Sequence, residues 1–458
     1  MSKTDENYGM ATYLIFSDDW GRHPSSCQHL TQFLLREENR LLWVNTIGTR
    51  PPRLDWITMK RGFEKLTSWC FRPKCYSNAS IQAPQSPSTS ESTPAATLET
   101  SNAGTAGKEN AGGTPSAESS SPDTGEPCAV SPDRRQPKVL QPFMWPWFRH
   151  RHDRWLNRVL LRHALRKALK GAEHPIIGIT TLPIVADVMR VLPQVDKWVY
   201  YCVDDWSLWP GMDAAPLEKM ETELVAQADT IITAGVALQK RILQRMGRKS
   251  TLVTHGVDLA FWRGEIPAST LEEPAELPTP QETQRPIFMF WGLIDERLDI
   301  DMVRQLSDDI SADAHDITEC GSIVFVGPEA SQSVKSELLD IPHVEYWGVF
   351  PYSQLPFLAK RADVLIMPYY DMKVTRQMQP LKLTEYLATG KPAVVRELPA
   401  TEAWKDALDV VATVEDFSRL ARLRAKTGLP EEQRLARQRL EDETWAAKAA
   451  LFEKAVQS

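Results

Sequence analysis

The sequence predicts an α/β protein built from two Rossmann-like, doubly wound parallel-sheet domains that face a cleft. Three observations carry this. Short apolar strands alternate with helical patterns along most of the 458 residues, the rhythm of right-handed βαβ units. A Pro/Glu-rich stretch, residues 264–285, separates two regions that share this rhythm and marks a linker. A run of Ser, Thr, Ala, Pro, Gly and Glu from 77 to 137 interrupts the first region without ending it, because strand and helix patterns lie on both sides. That run has too little apolar surface to offset its chain entropy, so it reads as a disordered insertion. The expected organisation is a first domain at 11–263, the linker, a second domain at 286–435 and a closing helix at 436–458.

In the first region, "ATYLIFSDDW" is a strand ending in a polar turn. "PSSCQHLTQFLL" reads as a helix, with Pro24 and Ser25 suited to its start. "RLLWVNT" is the next strand. Beyond the insertion come a basic helix at 150–170, strand "PIIGITT", a helix, strand "KWVYYCVDD", a helix at 214–227, strand "TIITA", another helix and strand "STLVT". The second region supplies strands "PIFMFWG", "SIVFVG", "VEYWG", "DVLIMPY", "PAVVR" and "LDVVA". Ligands of open parallel sheets bind at the carboxyl ends of strands, so chemistry is sought there.

Composition narrows the classes. Apolar content of 42% and charged content of 25% are ordinary for a globular chain, and a net charge of −7 argues against a nucleic-acid partner. The polar start "MSKTDENYGM" lacks the apolar core of a secretory signal, and the run "PIFMFWGLI" is too short to span a bilayer. The 6 cysteines are scattered, and no second close pair joins Cys70 and Cys75 to complete a metal site. A reduced, cytoplasmic protein with no metal is expected.

The stretch "PLKLTEYLATGKPAVV", residues 380–395, is the most informative. Pro380 suits the first helical position, and Leu381, Leu383, Thr384, Leu387 and Ala388 form an apolar stripe. Lys382 then places a cation in the first turn, against the helix dipole, at a cost of about 0.3–1 kcal/mol if exposed. A bound phosphate or diphosphate resolves the conflict, because free N–H groups, the dipole and Lys382 all favour an anion. Glu385 lies three residues on and shares a face with Lys382. It forms either an ordinary surface ion pair or, beside a nucleotide, an acceptor for both ribose hydroxyls.

These residues resemble the donor-binding segment of retaining GT-B glycosyltransferases that use nucleotide sugars. "THGVDLAFW", "FWGLIDERLDIDMV" and "VEYWGVFPYSQLPFLAKRADVLIMPY" agree with that family in order and spacing. "VYYCVDDW" and "FSDDWGRHPSSCQHL" are similar to a subgroup acting on cell-surface polysaccharides. The resemblance implies a hexosyltransferase-type enzyme with a nucleotide diphosphate sugar as substrate, a glycan or lipid-linked acceptor, and no separate cofactor. It implies that Glu385 binds the donor ribose and that Arg297 meets the diphosphate, where fixed cations stabilise the leaving group's charge. Gly292 would let the backbone approach the phosphates. The bland alternative for Arg297 is a solvated arginine among Asp295, Glu296 and Asp299. Many members carry a second glutamate eight residues before the first; here that position is Gln377, and Gln379 offers its amide nearby. The departure keeps open a degenerate, binding-only member, and the two-lobed architecture keeps open a nucleotide-sugar epimerase.

On the first domain, Asp204 and Asp205 end a strand facing the cleft. One is expected to cap a turn, and the other to orient the acceptor hydroxyl or stabilise an oxocarbenium-like transition state, with Asp204 preferred. Gly21, Ser25 and Ser26 follow the first strand and offer backbone N–H groups. His23 lies among them as an acid-base candidate or, as the simpler reading, a solvated loop histidine. In the basic helix Arg154, Arg158, Arg162 and Arg166 recur every four residues. The favoured reading is an amphipathic helix with arginines in water; peripheral contact with an anionic membrane is the second.

Overall fold

The computed structural model describes residues 11–21, 25–35, 39–45, 136–266, 286–313 and 321–458. The expected insertion up to Arg135, linker residues 267–285 and His23 lie outside these.

The first sheet has strands β1 (Thr12–Ser17), β2 (Arg40–Asn45), β3 (Lys138–Leu140), β4 (Ile176–Thr180), β5 (Lys197–Cys202), β6 (Thr230–Thr233) and β7 (Thr251–Leu252). They run parallel in the order β3-β2-β1-β4-β5-β6-β7. The second has β8 (Ile287–Trp291), β9 (Ser322–Val326), β10 (Val344–Gly348), β11 (Val364–Met367), β12 (Ala393–Arg396) and β13 (Asp409–Val411), all parallel in the order β10-β9-β8-β11-β12-β13. Central strands such as β1 (TYLIFS) and β8 (IFMFW) are buried at every residue. That burial on both faces is why they read as unbroken apolar runs instead of alternating ones.

Strand β3 is absent from the sequence reading. Its pairing with β2, Trp43 opposite Val139, puts residues 46–135 between adjacent strands of one sheet. Topologically this stretch is an insertion within the first sheet and not a link between the two. The order reverses between β1 and β4 in the first sheet and between β8 and β11 in the second. A crevice forms at the strand ends of such switch points.

The basic helix spans Arg151–Ala168 and lays Leu161 and Leu165 on the core, as an amphipathic helix should, but only part of its arginine stripe is solvated. Arg154 turns inward and makes ion pairs with Asp187 (2.7 Å) and Glu223 (2.5 Å). Arg158 lines a cleft with Met144, Trp145, Phe148 and Met220, while Arg162 and Arg166 stay in water. Two carboxylates from neighbouring helices draw Arg154 inside, a long-range cause that periodicity does not contain.

Residues 436–458 are not one helix. A 3-10 turn at Arg437–Glu443 precedes the helix Trp445–Gln457, which Thr444 caps by accepting from the Ala447 N–H. This last helix packs under the first sheet: Trp445, Ala449, Phe452 and Val456 share a core with Tyr13, Ile15, Tyr201 and Val253. In exchange, the helix Leu259–Arg263 packs with the second sheet, where Phe261 stacks on Tyr352 and Trp262 on Trp291 at 5.1 and 5.2 Å. Each sheet thus buries an element from the other half of the sequence.

Candidate functional site

The helix Leu381–Ala388 begins after Pro380, which has no capping side-chain bond, so its first-turn N–H groups rely on what lies ahead. Ahead is the first lobe. Leu381 packs against that lobe's core, and the side chain of Gln379 approaches Gly235. His255 of the first lobe hydrogen-bonds to the Gln379 backbone. The positive pole therefore points across the gap and not into bulk water.

Lys382 sits at the switch point of the second sheet. Its Nζ donates to Tyr369 Oη (2.7 Å), beyond β11, and lies 4.1 Å from the ring centroid of Phe290 on β8. A Cβ on Gly292, where φ is 143°, would collide with this ammonium. Gly292, expected to let the backbone approach phosphates, also leaves the room that Lys382 occupies. Burial pushes the Lys382 pKa down, aided by nearby Arg297 and opposed by Tyr369 and the Glu385 carboxylate.

Glu385 is 9% exposed. Its Oε1 accepts from Tyr352 Oη (2.9 Å) and its Oε2 from Trp291 Nε1 (3.2 Å). Burial raises its pKa against those two bonds and the attraction of Lys382. The surface ion pair is not what the residues form: aromatic donors hold Glu385 in place, and each carboxylate oxygen has a further lone pair to offer.

Arg297 is only 7% exposed, which removes the solvated reading. Asp295 receives its Nε (2.9 Å), and its guanidinium lies 4.8 Å from the Trp209 ring of the first lobe. Burial opposes its charge, yet Tyr369, Asp295 and Asp204 together raise its pKa. Asp204, at the end of β5, is the carboxylate that Arg297 meets across the gap. Burial pushes Asp204 up to about 7, partly countered by Arg297 and a hydrogen bond with Trp209.

Asp205 does not join them. Its Oδ1 caps the turn Trp206–Leu208, accepting from the Ser207 N–H (3.2 Å) and Oγ (2.6 Å), and its Oδ2 is 3.3 Å from Arg241 Nε. Arg241 is also bonded twice by Glu221, so Asp205 belongs to a buried structural network. Of the two aspartates, Asp205 is the cap.

The loop after β1 is likewise occupied by its own bonds. Gly21 N–H donates to Gln28 Oε1 (3.1 Å). Ser25 caps its helix, accepting from the Gln28 N–H, and donates to Asp18 Oδ1 (2.9 Å). Ser26 is buried and bonded to Tyr201. The sequence reading missed the organiser, Asp18, which also receives Ser17 Oγ and Gln28 Nε2. It also missed Tyr369 and Trp209, whose roles depend on contacts between distant segments. Gln377 keeps a buried Oε1 with no hydrogen-bond partner among the described residues. Nor, among those residues, does any group of three His, Cys, Asp or Glu converge as a metal ion would need.

The chain matches no known protein-family profile. It is 26% identical over 219 residues to a protein named as a teichuronic acid biosynthesis glycosyltransferase, TuaH of Bacillus subtilis (strain 168). That match covers 45% of the chain and 52% of TuaH, so the chain spans about half the length of this relative. Among solved structures, it is similar to sucrose-phosphate synthase from Thermosynechococcus elongatus, with a TM-score of 0.60, 13% identity and 98% of each chain covered. It is also similar to Anabaena HepE in complex with UDP, with a TM-score of 0.54, 9% identity, and 98% and 99% of the chains covered. The N-terminal domain of Candida albicans trehalose-6-phosphate phosphatase gives 0.58 at 10% identity, with 100% and 98% covered. The two parallel sheets are the GT-B fold of glycosyltransferases.

Proposed function

We propose that this GT-B chain is a glycosyltransferase that moves a sugar from a nucleotide diphosphate donor to a glycan or lipid-linked saccharide, with retention, at the cytoplasmic face of a membrane. The observation that carries the reading is Lys382. A half-buried ammonium, donating to Tyr369 Oη, stands at a sheet's switch point, beside a helix's positive pole aimed at the opposite lobe, with Arg297 close by. That is a receptor for a diphosphate.

The ribose would reach the remaining lone pairs of Glu385 one turn along the helix. The partnerless Oε1 of Gln377 would accept from a sugar hydroxyl, as would the amide of Gln379. As the glycosidic bond breaks, charge builds on the leaving diphosphate, where Lys382 and Arg297 already stand without reorganising. Asp204 faces this point from the acceptor side. Ionised, it would orient the acceptor hydroxyl and stabilise the oxocarbenium-like centre, while the donor phosphate takes the acceptor's proton.

HepE was solved with UDP, and TuaH is named for teichuronic acid biosynthesis, which supports the ligand class without fixing base, sugar or linkage. The test is incubation with nucleotide sugars and lipid-linked acceptors, followed by mass spectrometry. A donor-dependent glycosylated product is expected. Sugar interconversion without acceptor would point to an epimerase, and nucleotide binding without turnover to a binding protein.

A further inference from the structure

The helix Arg151–Ala168 buries Leu161 and Leu165 in the first lobe's core but leaves two apolar side chains on its outer face. Arg154 is half-buried between two carboxylates, whereas Trp155 is 59% exposed and Val159, one turn on, is 46% exposed. A helix that only packs on a sheet would carry polar residues at the outer positions that Trp155 and Val159 hold. The exposed face that carries them also carries Arg151, Arg162, Arg166 and Lys167, at helical spacing. Among the described residues none of these four cations has an ion pair. The acids nearby are spent elsewhere: Asp153 on the Trp145 indole and the His150 N–H, Asp187 and Glu223 on Arg154, and Asp213 on Arg149. In a chain of net charge −7, this face is locally positive and apolar together.

We infer that this face docks the protein on an anionic lipid surface. Trp155 and Val159 enter the headgroup boundary, and the flanking cations meet lipid phosphates. A tryptophan amid basic residues suits an interface with an apolar side and a wet, negative side. The inference deepens the proposed reading, in which a lipid-linked acceptor would lie at such a surface, but its observations are independent of sugar transfer. Among the described residues no helix is long and apolar enough to cross a membrane, so attachment through this face would be peripheral.

The test is flotation of the full chain with vesicles of phosphatidylcholine alone or with phosphatidylglycerol. Co-flotation is expected only with the anionic vesicles, and it should weaken as salt is added. Arg162→Glu with Arg166→Glu should reduce binding by about thirtyfold or more, and Trp155→Ser with Val159→Ser should reduce it comparably. All four positions are exposed, so melting temperatures should hold. Lys382→Ala should float like the unaltered protein, which separates failure of docking from failure of the sugar-transfer reading. Absence of flotation, or flotation indifferent to both double variants, would overturn the inference. So would a dimer in sedimentation velocity that the Trp155→Ser, Val159→Ser variant dissolves, because the face would then belong to a second copy.

Discussion

At Gly292 the backbone holds φ at 143°, and a Cβ would strike the Lys382 ammonium. Gly292→Ala therefore meets strain and a displaced cation together. It should lower stability by about 1–3 kcal/mol in denaturant titration and also weaken nucleoside diphosphate binding. Asp204 makes a separate prediction. Its folded pKa, about 7, lies above the unfolded value, so the folded state holds the proton more tightly. Its contribution to stability is full below an unfolded pKa of about 4 and is lost as pH rises through about 7. Asp204→Asn should flatten the melting temperature across that window. If the ionised form serves the acceptor, turnover should fall as pH drops through about 7, and the Asn variant should lose about a hundredfold or more in rate with donor affinity kept. The Lys382 anomaly was legible because a first-turn cation contradicts a local rule. Asp18, Trp209 and Tyr369 were not, because nothing local marks a group whose partner lies far along the chain.

Among the elements, strands β8 to β13 and the helices Ala214–Gln227 and Leu381–Ala388 could be read from apolar runs, caps and breakers. Two failures have physical causes. The arginine period at 154–166 was real, but periodicity says which residues share a face, not which of them turns inward; Asp187 and Glu223 decide that. Strand β3 has 3 residues and owes its existence to pairing with β2. The helices Ala214–Gln227 and Val236–Met246 are joined by Glu221 and Arg241, with Asp205 alongside. Glu221→Gln leaves Arg241 buried and undercompensated and should cost about 3–5 kcal/mol in denaturant titration, with the nucleoside diphosphate affinity of the remaining folded protein unchanged.

For the whole molecule, the last helix and the helix Leu259–Arg263 are exchanged between the halves, so neither sheet completes its core from contiguous sequence. Phe452 is fully buried against Tyr201 of the first sheet, although it lies beyond the second in sequence. Phe452→Ala should cost about 3–5 kcal/mol and shift one cooperative unfolding transition instead of producing two. The exchange also fixes which faces of the lobes confront each other, and it places Asp204, Arg297 and Lys382 around one gap. The most direct test of that arrangement is titration calorimetry with a panel of nucleoside diphosphates. The account predicts that one of them binds the unaltered protein and binds Lys382→Ala at least about tenfold more weakly at similar melting temperature. Binding that ignores the loss of Lys382, or no nucleoside diphosphate binding at all, would contradict it.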